Sequence, residues 1–453
     1  MRLLISCSIA ALLSGCAAVD TKPDLAPLRA TLGDRAGGEI ALRNADGPVT
    51  QRIEQLRAQP LSMTGAVQLA LLASPEMQSH YAEVGIARAD MALASSLTNP
   101  RVDVSVRPTT NPAALANLEF GIVQSIVDVM TQPVRAKAAA ATFEAAKLKV
   151  AADVVVAVGE VRRAYVELVA ARNLVVAHQG MANAAEAAAL LAQKMHAAGN
   201  VPDLMLNREQ SAFEDAATGV MKAELDVAAR APQLARLLGT ESAPLQIPDK
   251  LPAPPADNND GDALAAVAAE RRLDVAALRQ SLEAARTTLK SKVDWRAWQE
   301  IEVGLSAERD GDGQWALGPN ISFALPLINR GGPAAARAAA ELMKAENDLR
   351  AGLGRVQAEV ATAMAKVAAA RRLVERYRTV ILPLKHNIVV QVQQNQNYML
   401  VGVFDALAAK REEGAAQAAY VEALRDYWLA RVDLAEAVGG ADLDLPADKG
   451  ASS

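Results

Sequence analysis

The sequence is poor in the residues that carry most enzyme chemistry. It has 2 cysteines, 4 histidines and 3% aromatic residues in 453 positions. The histidines are scattered without the spacing of a metal-ligand pair, and we find no Ser-His-Asp set, phosphate-binding loop or paired-carboxylate site. We therefore expect no enzyme, no cofactor and no metal site. A net charge of −5 without a basic cluster also excludes a typical nucleic-acid-binding surface.

Small apolar residues are what the sequence has in abundance. Apolar residues make up 51% of the chain, with alanine and valine in excess. Few bulky side chains and much alanine favour closely packed helices over a thick globular core. From Pro133 to Ala198 there is no further proline, and the only glycines are Gly159 and Gly180. This predicts a helix of roughly 65 residues, or about 95–100 Å, which is longer than any globular core requires.

The N-terminus is typical of a bacterial lipoprotein signal peptide. Arg2 supplies the positive end, and residues 3–13 form an apolar run too short for a permanent membrane helix. The run ends in Leu13-Ser14-Gly15-Cys16, a lipobox in which the chain is cut before the cysteine and the thiol receives a diacylglycerol. Residues 1–15 would be removed, so that Cys16 carries the lipid and no disulfide is possible. The alternative is an ordinary secretory signal with a chance cysteine.

Composition divides the rest of the chain into two repeats and a linker. The polar, Gly/Pro-punctuated start predicts a tether, and Ala17 after the lipidated cysteine, where an Asp would indicate inner-membrane retention, favours the outer membrane. Five prolines and a polar run mark the linker. The predicted segments are residues 16–61 (lipidated tether), 62–240 (first structural repeat), 241–262 (Pro-rich linker), 263–440 (second structural repeat) and 441–453 (C-terminal tail).

Capping and breaking residues predict where the helices begin and end. Thr64 is the expected N-cap of a helix that runs to about Leu97. Pro133 and Pro333 suit the first turn of the two long helices, and Pro383 should kink the second of them. The two repeats are expected to correspond through three residue pairs, with offsets of 200, 203 and 202: Pro133 with Pro333, Gly199 with Gly402, and Asp203 with Asp405.

Two stretches of strict alternation interrupt the helical sequence and predict strand pairs within residues 101–126 and 300–326. In the first, Val102, Val104 and Val106 share one face, and charged residues occupy the other. Strands with one apolar and one charged face are typical of a membrane barrel with an aqueous lumen. Four strands are too few to close a barrel, so partners of the same kind are required. The residues expected to face the lumen are Asp103, Glu119, Glu300, Glu302 and Glu308.

This order of elements, together with the stretch Gly318-Pro319-Asn320-Ile321-Ser322-Phe323-Ala324-Leu325-Pro326-Leu327-Ile328-Asn329-Arg330-Gly331, resembles the TolC-type outer-membrane efflux factors. In that family the last strand ends in a Pro-Leu-Phe segment followed closely by glycine, and here Ile328 replaces the aromatic residue. The resemblance covers about residues 62–440. Aromatic residues are sparse for a membrane barrel, and the candidates for an aromatic girdle are Trp315, Phe120 and Phe323.

The resemblance implies a mostly α protein with a small β part that works as a homotrimer. Three copies of four strands would form one twelve-stranded barrel among the lipids of the outer membrane, and the long helices would form a tube across the periplasm. A periplasmic adaptor and an inner-membrane transporter would be its partners. The helix-turn tips that would meet the adaptor are Gly199, Asn200, Val201, Val401, Gly402 and Val403.

Each of these site residues also has a simpler explanation. The tip glycines permit a tight reversal whether or not an adaptor docks there. Asp203 and Asp405 are candidates for an acidic constriction at the narrow end of the tube, but N-capping of a helix explains them as well. Solvation of a lumen accounts for the strand carboxylates, with cation preference as the sharper alternative.

The sequence thus predicts a passive exit duct of a tripartite efflux system, for small molecules or metal ions. Two alternatives stay open. One is a type I secretion duct for a polypeptide, and the other is a non-conducting lipoprotein that bridges envelope layers. The alternating strands argue against the second, because a spacer needs no lumen-facing carboxylates.

We predict that Cys16 carries the membrane anchor. Cys16→Ser should abolish labelling by a radioactive or clickable fatty acid and shift the mass of the accumulated chain to that of the uncut precursor. Intact-mass spectrometry of the membrane fraction measures both effects. A wild-type chain without an acyl group at Cys16 would contradict the prediction.

Overall fold

A computed structural model describes residues 24–43, 47–108, 110, 115–240, 246–255, 261–295 and 300–440. Cys16 and the tail at residues 441–453 lie outside these described residues. The chain divides into two compact units, each treated by itself below. The strand unit contains Tyr81–Lys149 and Ala276–Ala351, and the helical unit contains Ala26–His80, Val150–Val275 and Gly352–Ser453.

The described residues are mostly helical, with one small sheet, as the sequence predicts. Among them, no helix combines the length and the apolar character needed to cross a membrane. The helices are α1 (Ala26–Leu32), α2 (Pro48–Arg57), α3 (Met63–Ala73), α4 (Pro75–Ser95), α5 (Ile126–Ala197), α6 (Asp203–Leu237), α7 (Gly261–Arg271), α8 (Leu273–Asp294), α9 (Gly332–Arg376), α10 (Leu382–Asn397) and α11 (Val403–Ala437). The strands are β1 (Arg101–Arg107), β2 (Asn117–Ser125), β3 (Ile301–Arg309) and β4 (Trp315–Phe323).

Two of the expected boundaries in the first repeat are wrong. The N-cap of α3 is Ser62, whose hydroxyl accepts a hydrogen bond from the backbone N–H of Gly65 at 3.0 Å, and Thr64 lies inside the helix. The helix also does not run on to Leu97. It stops before Ser74, whose extended backbone (ψ 126°) is the conformation that Pro75 imposes on the residue before it.

The long helix predicted after the first strand pair is confirmed, but it begins earlier than expected. α5 has 72 residues, or about 108 Å of helix at 1.5 Å per residue. Pro133 is inside α5 and not in its first turn. The first turn is capped instead by Ser125, whose hydroxyl accepts a 3.2 Å hydrogen bond from the backbone N–H of Asp128. The carboxylate of Asp128 in turn accepts hydrogen bonds from the backbone N–H and hydroxyl of Thr98 (2.8 and 3.1 Å).

The duplication is confirmed and is more regular than the sequence pairs suggest. α6 and α11 each have 35 residues, and their first residues differ by 200 positions. Both end in a left-handed glycine, Gly239 (φ 64°) and Gly439 (φ 98°). A side chain at Gly239 would place its Cβ 2.4 Å from the carbonyl oxygen of Ala73. This close approach requires glycine at the position.

Alanine and valine of the long helices form most of the core of the helical unit, as the composition predicts. The described part of the Pro-rich linker is tied to this core through its carbonyl groups. The indole N–H of the fully buried Trp428 donates to the carbonyl of Pro252 at 2.8 Å. The carbonyl of Pro255 accepts from Arg371 at 3.0 Å, and that of Leu61 accepts from Tyr165 at 2.9 Å. Buried aromatic donors therefore bind carbonyl groups of backbone that lies outside the helices and strands.

The helix that contains Pro383 changes its hydrogen-bonding pattern ahead of the proline. Tyr377–Ile381 form a π-helical turn between α9 and α10, and Pro383 is in the first turn of α10. Proline has no N–H and its ring clashes with a carbonyl one turn earlier, so the wider turn accommodates both effects.

All four strands form one antiparallel sheet in the order β1-β2-β3-β4. A tight turn joins β3 to β4, in which the N–H of Gly313 donates to the carbonyl of Asp310 at 2.9 Å and Gly313 has a φ of 88°. Within the described residues, β1 and β4 are each paired along one edge. The outer edges of both strands are therefore available to a further strand.

Candidate functional site

The first candidate site is the sheet, whose two faces differ sharply in chemistry. The register places odd positions of β1 in line with odd positions of β2 and even positions of β3 and β4. One cross-strand row of the polar face is Ser105, Glu119, Glu308 and Ala316. The matching row of the apolar face is Val104, Phe120, Ala307 and Leu317. The alternation therefore continues in phase across the whole sheet, as the sequence predicts.

Ion pairs on the polar face cross the strands. Arg101 lies 2.9 Å from Glu302, and Arg107 lies 2.6 Å from Glu119. Both arginines are more than half exposed, so each pair is worth on the order of 0–1 kcal/mol. The face carries more carboxylates than arginines: Asp103, Glu119, Glu302 and Glu308 against Arg101 and Arg107. This is the polar surface that would line a water-filled lumen.

The apolar face is exposed over its full length. Val102, Leu305 and Ile321 are 64%, 56% and 63% exposed. Near the hairpin end, Phe120 and Trp315 stack with their ring centroids 6.3 Å apart. The three expected girdle residues, Trp315, Phe120 and Phe323, are all on this face. A nine-residue strand such as β3 is about 31 Å long and matches the length needed to cross a bilayer as part of a barrel.

The second candidate site is the pair of turns that join the long helices to the following ones, which we call tip 1 (residues 198–202) and tip 2 (residues 398–402). In tip 1, Gly199 is left-handed (φ 76°), and Asn200 donates to the carbonyl of Met195 at 2.8 Å. The N–H of Gly199 also donates to the carbonyl of His196 at 2.8 Å. These two hydrogen bonds form a Schellman cap, in which glycine is the preferred left-handed residue.

Tip 2 has the same cap with a different residue at the left-handed position. Leu400 donates to the carbonyl of Asn395 at 2.9 Å, and Met399 (φ 60°) occupies the place of Gly199. Among the described residues, Met399 is the only non-glycine residue with a positive φ. Left-handed backbone costs a side-chain-bearing residue about 1–2 kcal/mol. The correspondence of Gly199 with Gly402 is therefore wrong, and the structural counterpart of Gly199 is Met399.

Gly402 has an ordinary role in this turn. Its backbone is extended (φ −76°, ψ 159°), a conformation open to any residue, and it is the N-cap of α11. Its counterpart in tip 1 is the N-cap residue Pro202. Val401 and Val201 are both half-buried, and Val403, which begins α11, is 41% exposed.

The two aspartates assigned as possible N-caps have other positions. Asp203 is the first residue of α6, and its carboxylate lies 2.6 Å from Nε2 of His196 across tip 1. Asp405 is the third residue of α11, and its carboxylate accepts a 3.0 Å hydrogen bond from the backbone N–H of Gly402. Asp203 and Asp405 are not counterparts, since Asp203 corresponds to Val403. Both carboxylates hold their turns closed.

The helical unit contains a cavity of about 640 Å³ lined by charged residues. Arg163 pairs with Glu436 (2.8 Å) and Asp433 (3.2 Å), while Arg272 pairs with Asp274 and Glu359. Burial by itself lowers the pKa of Arg272, but the hydrogen bonds that Arg272 donates to the carboxylates of Asp274 and Glu359 outweigh it, so the pKa is raised. These charges already neutralise one another across several helices, which is typical of a structural network.

Sequence reasoning missed the exposed apolar side chains of tip 2. Tyr398, Met399 and Leu400 are 77%, 93% and 72% exposed. A constant offset of 200 between the repeats would have found them, because it places Met399 opposite Gly199.

Exchanging the left-handed residues of the tips should move stability in opposite directions. Met399→Gly removes the strain of a side chain at positive φ and should raise stability by about 1 kcal/mol, whereas Gly199→Met should lower it by about the same amount. Urea unfolding followed by circular dichroism measures both. Equal effects of the same sign would contradict the assignment of Met399 and Gly199 as counterparts.

No protein-family model and no curated protein matches the chain. Solved structures do match. A membrane protein from Pseudomonas aeruginosa is 17% identical with a TM-score of 0.69, over 86% of this chain and 93% of that one. The outer membrane protein VceC from Vibrio cholerae is 15% identical with a TM-score of 0.66, over 86% and 96% of the two chains.

The open state of the MtrE outer membrane channel from Neisseria gonorrhoeae is 15% identical, with a TM-score of 0.63, over 86% of this chain and 89% of that one. At such low identity the likeness concerns the fold. The order of elements predicted from the sequence agrees with it. The chain therefore has the fold of these membrane proteins, with long helices and one small antiparallel sheet of four strands.

Proposed function

We propose that three copies of this chain form an outer-membrane channel, the passive exit duct of a tripartite efflux system. The observation that carries the proposal is the four-stranded sheet, which has one apolar face, one charged face and two free edges among the described residues. In hydrocarbon a strand edge must be hydrogen bonded. Pairing β4 of one copy with β1 of the next closes a twelve-stranded barrel with the charged face inside.

The helices supply the rest of the duct. α5 provides about 108 Å of helix, enough to carry a tube from the outer membrane across the periplasm. The duct itself needs no energy source, which an inner-membrane transporter would provide. We propose small molecules or metal ions as cargo. A polypeptide exported by a type I system is the alternative, and a non-conducting spacer is disfavoured because the carboxylates and arginines of the polar face would have no purpose there.

Cys16 would anchor each copy in the outer membrane by a lipid. The anchor and the strands are separate attachments, so a chain without the lipid can still insert through its sheet. Two independent signals give firmer membrane attachment than one acyl group alone.

The channel should behave as a homotrimer with aqueous conductance. Detergent-purified protein should show three times the mass of the chain in native mass spectrometry, and reconstitution into a planar bilayer should give discrete conductance steps. A stable, fully folded monomer would end the barrel proposal. A trimer that never conducts, including after the helix tips are removed by limited proteolysis, would favour the spacer.

The tips would dock the periplasmic adaptor. Asp405 already occupies the space beside Gly402, and a Cβ at Gly402 would meet nothing else within 4 Å. Because the backbone of Gly402 is extended, a side chain there projects outward without strain in the turn. The tip can therefore be altered without disturbing the fold.

Gly402→Asp should leave trimer yield near normal while it reduces export and adaptor crosslinking, because a second carboxylate beside Asp405 would lose its hydration without a partner when the adaptor covers the tip. Gly402→Ala is the matched control and should leave all three quantities unchanged. Measuring export, crosslinking and trimer abundance in one strain separates docking from assembly. Full export and crosslinking in Gly402→Asp would remove this tip from the docking site.

A further inference from the structure

The eight residues between β4 and α9 carry an exposed apolar cluster that the channel proposal does not use. Leu325, Leu327 and Ile328 are 66%, 74% and 101% exposed. We propose that these three side chains, which we call the apolar cluster, insert into the periplasmic-side interface of the outer membrane and anchor the foot of the barrel there. The inference rests on the proposed channel, in which the strand ends that lead into helices face the periplasm and the turn at Asp310–Gly313 faces outward.

The local backbone turns these side chains outward. Pro326 excludes a regular helix, and the N–H of Leu327 donates to the carbonyl of Leu325 at 2.8 Å, which makes a tight reversal. The side-chain oxygen of Asn329 accepts from the N–H of Gly331 at 2.9 Å, and Gly331 is left-handed with a φ of 73°. These turns form without burying any of the three apolar side chains.

The cluster continues the apolar face of the sheet. Odd positions of β4 lie on that face, ending with Ile321 and Phe323, which are 63% and 58% exposed. Leu325 follows at the next odd position. Leu327 and Ile328 come after the intervening Pro326. The pairing continues to Ala324, whose N–H donates to the carbonyl of Glu300 at 3.2 Å, so the apolar face extends to Leu325. The exposed side chains of Leu327 and Ile328 lie within three residues of that point.

The first repeat has no such segment. There β2 ends at Ser125 and α5 begins at Ile126, so the strand passes directly into helix. In the second repeat the strand ends at Phe323 and α9 begins at Gly332. The apolar cluster is thus an addition to one repeat, and the connection between strand and helix does not itself require it.

The bilayer suits this surface better than a second protein copy does. Arg330 is exposed two residues after Ile328. Aliphatic side chains beside an exposed arginine match the boundary between acyl chains and phosphate headgroups, where the apolar part enters and the cation stays at the phosphates. The segment is at the strand end opposite the Asp310–Gly313 turn. In the proposed orientation this end is on the periplasmic side.

The test uses a thiol-specific spin label on the full-length trimer in vesicles of phosphatidylethanolamine and phosphatidylglycerol. Ile328→Cys reports on the cluster. Ile321→Cys on the apolar face and Ser322→Cys on the polar face are the matched controls, and labelled wild-type protein sets the background from the native cysteines. Collision rates with oxygen, which concentrates in lipid, and with a water-soluble nickel chelate are measured at each position.

We expect the ratio of oxygen to nickel collisions at Ile328 to shift toward the value at Ile321 and away from that at Ser322. A ratio like that of Ser322 places the cluster in water and overturns the inference. Low collision rates with both reagents indicate a contact between copies and overturn it equally. If Ile321 itself lacks the lipid signature, the barrel orientation fails, and this inference fails with it. A lipid signature at Ile321 alone overturns only the inference.

Discussion

Backbone hydrogen bonding in hydrocarbon is the constraint on which the proposed channel depends. A strand that lies in a bilayer must have both edges paired, because lipid offers no donor or acceptor to a free N–H or C=O group. The sheet has four strands and an uninterrupted apolar face, yet β1 and β4 each leave an edge open among the described residues. In the proposed channel, membrane insertion would therefore require assembly with further copies.

The proposed tube explains why the helices can be built from such small residues. A tube of long helices has little volume to fill between its walls, so alanine and valine pack closely where a globular core would need bulkier side chains. The few large aromatic residues make specific contacts. Trp428 and Tyr165 bind backbone carbonyl groups, and Trp315 and Phe120 stack on the apolar face of the sheet.

Periodicity predicted most of the fold. The alternation around Val102 and Leu305 and the proline-free run after Pro133 depend on local rules that act within a few residues, and the strands and α5 were found from them. Boundaries that depend on competition between neighbours were missed. Ser62 and not Thr64 caps α3, and α5 begins at Ile126, seven residues before Pro133, after the cap formed by Ser125. The local sequence pattern does not determine which of two residues able to cap a helix will form its N-cap.

The tips were located correctly from sequence, but their chemistry was not. The sequence pairs Gly199 with Gly402 because both are glycines, but the backbone of Gly402 is extended and unstrained. The strained left-handed backbone belongs to Met399. The strain depends on the cap formed by the preceding helix, which becomes visible only when both turns are superimposed on one pattern of hydrogen bonds. A residue that breaks a local rule at a solvent-exposed turn is most readily understood as serving a contact outside the chain.

The equal lengths of α6 and α11 have a consequence for any ring-shaped partner of the proposed trimer. Both helices run 35 residues from their tip to the same glycine cap, so the two kinds of tip lie at matching distances along their helices. Six tips of nearly one shape would then alternate in chemistry, three with Gly199 and three with the exposed side chains of Tyr398 to Leu400. A six-membered ring that recognises only the shape of the tips could bind the trimer in six rotational positions. A ring that recognises the side chains of the tips could bind in only three rotational positions. Adjacent members of that ring would contact different surfaces even if the members themselves were identical.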